Sequence, residues 1–150
     1  MLIVAAIGAN IASYTVNSFS VPMFMRYFGL PLTTASVLVG IMVGVTGLIG
    51  LFAGGYASDM ADRRSTAARV MVGAVCLLVA VPLSFLAYRV GPDGIAMFMV
   101  LMSAAWLLQY FFFTSAYPAV SDVVPPRLRS TAMAVFFAAF YLLGAAVGPV

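Results

Sequence analysis

Lysine, glutamate and histidine are absent from this 150-residue chain, and cysteine occurs once. A lone cysteine makes no internal disulfide and no cysteine-based metal site. The remaining residues offer no nucleophile paired with a base and no ligand set, so the chain is expected to be no enzyme and to hold no cofactor and no metal. Charge is scarce as well: seven arginines and four aspartates make up 7% of the residues, against 65% hydrophobic residues and a mean hydropathy of +1.15. A soluble domain of this length cannot hide so much apolar surface, so most side chains have lipid or neighbouring helices as their solvent. The basic isoelectric point, about 9.4, comes from arginines scattered over several loops with no basic stripe. Orientation in a membrane explains such arginines, and nucleic acid is not an expected partner.

What is present is a series of long uncharged runs, and the expected fold is an all-α membrane protein of five transmembrane helices in one domain. The spans fall at about 2–25, 35–57, 67–88, 95–117 and 130–150. At about 1.5 Å per residue, the first run alone can cross a hydrocarbon core of roughly 30 Å. It has no positive segment ahead of it and is too long for the apolar part of a secretory signal. Residues 54–69 gather five of the eleven charges between two apolar runs. A charge at the bilayer centre costs roughly 3 kcal/mol or more, so this cluster marks a turn at one membrane face. Both chain ends lie in apolar sequence, so the chain is expected to be a fragment lacking at least one neighbouring span.

Punctuation and polarity refine the spans. Pro22 should loosen the end of the first, Ser65 or Thr66 should cap the third, and Arg89–Gly94 has turn composition. Pro118 is expected to end the fourth helix and Pro126 to open a new one. In the second span Gly40, Gly44, Gly47, Gly50 and Gly54 recur at steps of three and four, which predicts a close helix contact along a glycine ridge. In the first, Asn10, Ser13, Tyr14 and Asn17 share one helical face. That face either hydrogen-bonds an adjacent helix or lines a polar cavity. In the fourth, Ser103, Trp106, Tyr110 and Thr114 share a face with Gln109 close by, either as packing or as a cavity wall. Trp106 and Gln109 sit mid-span, below the depth of the interfacial aromatic belt. The candidate solute-contacting residues are therefore Asn10, Tyr14, Asn17, Trp106, Gln109 and Tyr110. The loops after spans two and four hold Arg63, Arg64, Arg69, Arg127 and Arg129; the opposite loops hold Arg26 and Arg89. That asymmetry puts the first set in the cytoplasm, in a plasma or inner membrane.

Gly55-x-x-x-Asp59 followed by Arg63-Arg64, between the second and third spans, resembles the cytoplasmic signature of the major facilitator superfamily of secondary transporters. Pro125-Pro126-Arg127-Leu128-Arg129-Ser130-Thr131-Ala132, then Leu143-Gly144-x-x-x-Gly148-Pro149, resembles the connection to the fifth helix of that family's six-helix half and the helix itself. The chain departs from the signature at Met60, where a basic residue is usual, and at Asp62, where glycine is usual, and its fourth span lacks a buried arginine. These departures resemble the second half, so the resemblance implies helices seven to eleven of twelve. Residues 122–129 resemble those of spinster-like members, which are linked to lipid or organic-anion transport. The resemblance further implies alternating access to a small organic solute, with membrane lipid and the other half of the transporter as partners. Gly55, Asp59, Arg63, Arg64, Arg127 and Arg129 are the expected conformational latch, Asp59 pairing with Arg127 or Arg129. The four aspartates lie at span ends, so no proton relay is expected inside these spans. A transporter-like scaffold or sensor is the alternative. A membrane phosphatidyl-alcohol transferase lacks its acidic metal cluster here.

Overall fold

The computed structural model describes residues 2–122 and 124–147. Five α-helices follow one another: α1, Leu2–Tyr27; α2, Leu32–Asp62; α3, Thr66–Tyr88; α4, Ile95–Asp122; and α5, Arg129–Val147, with a single 3-10 turn at Pro126–Leu128 before the last. No strand occurs among the described residues. Among the described residues three helices are long and apolar enough to cross a membrane, α2, α3 and α4, with window hydropathies of 2.3, 2.6 and 1.8.

The turns follow from their residues. Gly29 stands at φ +66° and the Leu30 N–H donates to the Phe24 carbonyl at 3.3 Å, a closure of α1 over residues 24–30 that uses a left-handed residue after the helix end. Pro31 at φ −65° then precedes α2. Ser65 caps α3 in extended backbone, its hydroxyl accepting from the Ala68 N–H at 3.0 Å. Pro92 and Asp93 occupy the centre of a turn closed by the Gly94 N–H on the Gly91 carbonyl at 2.9 Å, the position that proline's fixed φ favours. Pro126 opens the 3-10 turn, as its missing N–H allows.

Two helix ends differ from expectation. The second span continues past Ala57 through Asp59 to Asp62, leaving only Arg63–Ser65 as connection to α3. At 31 residues α2 is roughly 46 Å long at 1.5 Å per residue, so its last turns reach beyond the hydrocarbon and the two aspartates can sit on helix without being dehydrated. The fourth span also continues, through Pro118 to Asp122. Proline removes the N–H that would bond the carbonyl four residues back, here that of Thr114. The Ser58 hydroxyl of α2 donates to that carbonyl at 3.5 Å. Replacement of the lost partner by a neighbouring helix is what lets a membrane helix keep an internal proline. Gly148 and Pro149 lie outside the described residues.

The chain forms two compact units, Val21–Ser115 and Met1–Ser20 with Ala116–Val150. In the first, Phe24, Phe98, Met42, Met102 and Ala105 are buried, and Phe24, Phe28 and Phe98 meet at ring-centroid distances of 5.4–5.5 Å. Long apolar side chains such as Val37, Ile41, Leu48 and Phe52 on α2, and Leu78, Val81 and Phe85 on α3, are exposed, the arrangement expected of helices whose outer faces meet lipid tails. In the second unit Tyr117 of α4 lies against Phe136, Phe137 and Phe140 of α5 at 5.3–6.1 Å.

Candidate functional site

Within residues 21–115 the close helix contact is a seam between α2 and α4. A methyl group placed on Gly50 would stand 2.8 Å from Tyr110 Cβ, and one on Gly54 would stand 2.7 Å from Thr114 Oγ1 and 3.0 Å from Phe111 Cα. Gly47 faces the Tyr110 ring at 3.2 Å. The glycine ridge is therefore shorter than its sequence spacing predicts: Gly40 and Gly44 have nothing within 4 Å at that position. Helical spacing identifies which glycines share a face, but α4 presses on only the part of it towards the C-terminal end of α2. Gly55 likewise meets nothing within 4 Å, so close approach falls to Gly54, its neighbour in the signature.

This seam positions the aromatic face of α4. Tyr110 covers Gly47 and Gly50, and its ring lies 6.0 Å from that of Trp106 one turn earlier. Trp106 is 6% exposed and its indole N–H has no hydrogen-bond partner among the described residues. Gln109 is half-buried. Thr114, on the same face, donates to the Phe111 carbonyl at 2.9 Å and is satisfied by its own helix. The buried indole thus stands apart from the hydroxyls around it: a directed donor held away from water with no acceptor, at a cost of about 1–3 kcal/mol.

Close to the turn between α2 and α3 lies a group the sequence reading missed. Arg69, counted there among the loop arginines, is buried in the first turn of α3 and forms an ion pair with Asp62 of the last turn of α2. The signal was available in the spacing, because residues on the two sides of a three-residue turn can face each other across it. Asp59, Arg63 and Arg64 are exposed. Asp59 belongs to this unit, while Arg127 and Arg129, both exposed, belong to the other.

In the other unit the polar face of α1 resolves residue by residue. Asn10 is 4% exposed and its amide donates to the Phe140 carbonyl of α5 at 2.6 Å, so for Asn10 the helix-to-helix bond is what the structure contains. The Ser13 hydroxyl donates to the Ala9 carbonyl one turn back at 2.8 Å. Tyr14 is half-buried and Asn17 exposed.

A sequence profile of the Major Facilitator Superfamily matches residues 1–149. The chain is 30% identical over 138 residues to an MFS-type efflux pump of Mycolicibacterium smegmatis, covering 92% of this chain and 32% of that protein. Its fold is similar to crystal structures of a bacterial homologue of the human lysosomal transporter Spinster, both inward-facing. The unoccupied form matches with a TM-score of 0.86 at 26% identity and the occupied form with 0.83 at 25% identity. Each match covers 99% of this chain. The chain spans about a third of the length of these relatives, between 30% and 32%.

Proposed function

The chain belongs to the major facilitator superfamily, and from that premise we propose that it is part of a secondary active transporter that moves a small organic solute by alternating access. It supplies helices seven to eleven of a twelve-helix protein, with the loops after α2 and α4 in the cytoplasm. The observation that carries the proposal is Trp106. Its buried indole N–H finds no acceptor among the described residues, and a membrane helix retains so costly a group where a transient ligand supplies one. Tyr110 and Gln109 beside it, with Tyr14 and Asn17 on α1, are the further candidate contacts. The solute then presents a hydrogen-bond acceptor and an apolar or aromatic face, and it needs no counter-charge from these spans. The efflux activity of the mycobacterial relative supports an outward direction.

Asp59, Asp62 and Asp122 stand in or near the last turns of their helices and Asp93 in a turn. Any proton that drives transport is therefore carried by the rest of the protein. At the cytoplasmic face Asp59 acts as a latch, pairing with Arg127 or Arg129 in one conformation, with Gly55, Arg63 and Arg64 completing the motif.

Solute counterflow into proteoliposomes of the complete protein tests the function. Exchange above that of empty vesicles is expected, reduced about tenfold or more by Trp106→Phe, which removes one hydrogen bond of about 1.5 kcal/mol, and reduced also by Asn17→Ala. Full exchange in both variants overturns the site assignment. No exchange in the wild type across acceptor-bearing organic solutes would point to a scaffold or sensor instead.

A further inference from the structure

A groove of about 460 Å³ runs along the unit formed by the end of α4, the connector and α5, well away in sequence from the Trp106 face. Val124, Leu128, Val135 and Ala139 line it, and the Thr131 hydroxyl is the one polar side-chain group in its wall. A wall so apolar offers water none of the two to four partners it needs, so a hydrocarbon chain suits it better than a polar ligand. The volume is that of a site for a whole ligand, not of a packing defect.

Its position identifies which hydrocarbon. One end lies at Leu128, flanked in sequence by the exposed Arg127 and Arg129, at the loop that the arginine distribution assigns to the cytoplasmic face. From Leu128 to Ala139 the groove extends roughly 16 Å at 1.5 Å per residue, which is the depth of one leaflet of a core about 30 Å thick. The Arg129 Nε–H donates to the carbonyl of Val124, a residue of the groove wall, at 3.3 Å, which ties this exposed guanidinium to the groove. Asp122 is the one acid between residues 94 and 150, so the segment carries net positive charge where phosphates of the membrane surface lie. We propose that this groove is a binding site for one anionic phospholipid of the cytoplasmic leaflet, its acyl tail along α5 and its phosphate between Arg127 and Arg129. Guanidinium groups are suited to this, because their planar forks match phosphate oxygens two at a time.

The site is tested on the complete protein in detergent by native mass spectrometry, with phosphatidylglycerol and phosphatidylcholine of identical tails and with tail-free glycerophosphate. Wild type is expected to retain phosphatidylglycerol roughly tenfold over phosphatidylcholine, as two arginines near an anionic headgroup should give, and not to retain glycerophosphate. Arg127→Gln with Arg129→Gln should bring the two lipids to parity. Ala139→Trp, which fills the groove and leaves both arginines in place, should abolish retention of either. Equal retention of the two lipids by wild type overturns the proposal, and so does a preference that survives the double substitution or the tryptophan. A helix from elsewhere in the protein lying over the groove would give the same equal retention. Counterflow measured on Ala139→Trp, which leaves Trp106 and both latch arginines in place, separates this site from the solute site.

Discussion

At the scale of the residue, neighbouring positions of one type differ sharply in what they do. Gly50 and Gly44 are both glycines of the α2 ridge, yet a methyl group on the first would collide with Tyr110 Cβ and the Leu107 carbonyl, while on the second it meets open space. Gly50→Ala should therefore lower stability by about 1–3 kcal/mol, the usual range for forcing volume into a packed contact. Gly44→Ala should be neutral or raise it by a few tenths. Thermal unfolding of the complete protein in detergent reads both, and equal melting temperatures would sink the seam. The Asp62–Arg69 pair gives a second asymmetry. Arg69 is buried and Asp62 is 37% exposed at its side chain, so Asp62→Asn removes the carboxylate paired with a buried guanidinium, while Asp62→Asn with Arg69→Met removes both charges. Replacing a buried pair by apolar volume is often tolerated, whereas removing one partner is not. The double variant should consequently melt higher than the single one. Trp106→Phe removes a buried donor that has no acceptor among the described residues and should hold or raise the melting temperature even as it lowers transport. A parallel fall in both would make Trp106 a packing residue.

At the scale of the element, α4 shows how a helix survives its own proline. With Pro118 present, the Thr114 carbonyl depends on Ser58; with Pro118→Ala, it regains a backbone donor. Ser58→Ala should then cost about 0.6 kcal/mol in the proline background, the average for interhelical hydrogen bonds in membranes, and close to nothing in the alanine background. A denaturant-based double-mutant cycle measures the difference, and zero coupling would remove Ser58 from the account. The same helix shows what could be read beforehand. Five helices, the turns at Gly29 and Arg89–Gly94, the Ser65 cap and the Pro126 start were legible because each rests on local chemistry: a long uncharged run, a left-handed glycine, a hydroxyl before a helix. The continuation of α4 through Pro118 was not, since its compensating donor lies 56 positions away in sequence. Nor was the burial of Arg69, which depends on α2 extending five residues beyond Ala57 to bring Asp62 opposite. At the candidate site, spacing picked out Trp106 and Tyr110 as sharing a face, but not that Asn10 is committed to Phe140, a contact between the two ends of the chain.

At the scale of the whole molecule, orientation in the bilayer is the property that the remaining claims share. With Arg69 drawn into an ion pair, the exposed arginines at the connections after α2 and α4 are Arg63, Arg64, Arg127 and Arg129, and those at the connections after α1 and α3 are Arg26 and Arg89, so the proposed cytoplasmic connections keep the larger share. In a Cys76→Ser background, Arg89→Cys should react with an impermeant maleimide on intact cells. Arg63→Cys should react only after the membrane is opened. The reverse pattern would invert the proposed direction and move the phospholipid groove to the outer leaflet. The three-residue connection between α2 and α3 bears on any attempt to put a reporter into this protein. Its backbone is committed at both ends, with the Arg63 N–H on the Asp59 carbonyl, the Arg64 N–H on that of Ala61 and the Ser65 hydroxyl on the next helix. An epitope spliced in at Arg64 would uncap α3 and part Asp62 from Arg69 in one stroke. A fluorescent tag has a safer berth beside Pro92, where the bend is exposed and the Asp62–Arg69 pair is not involved.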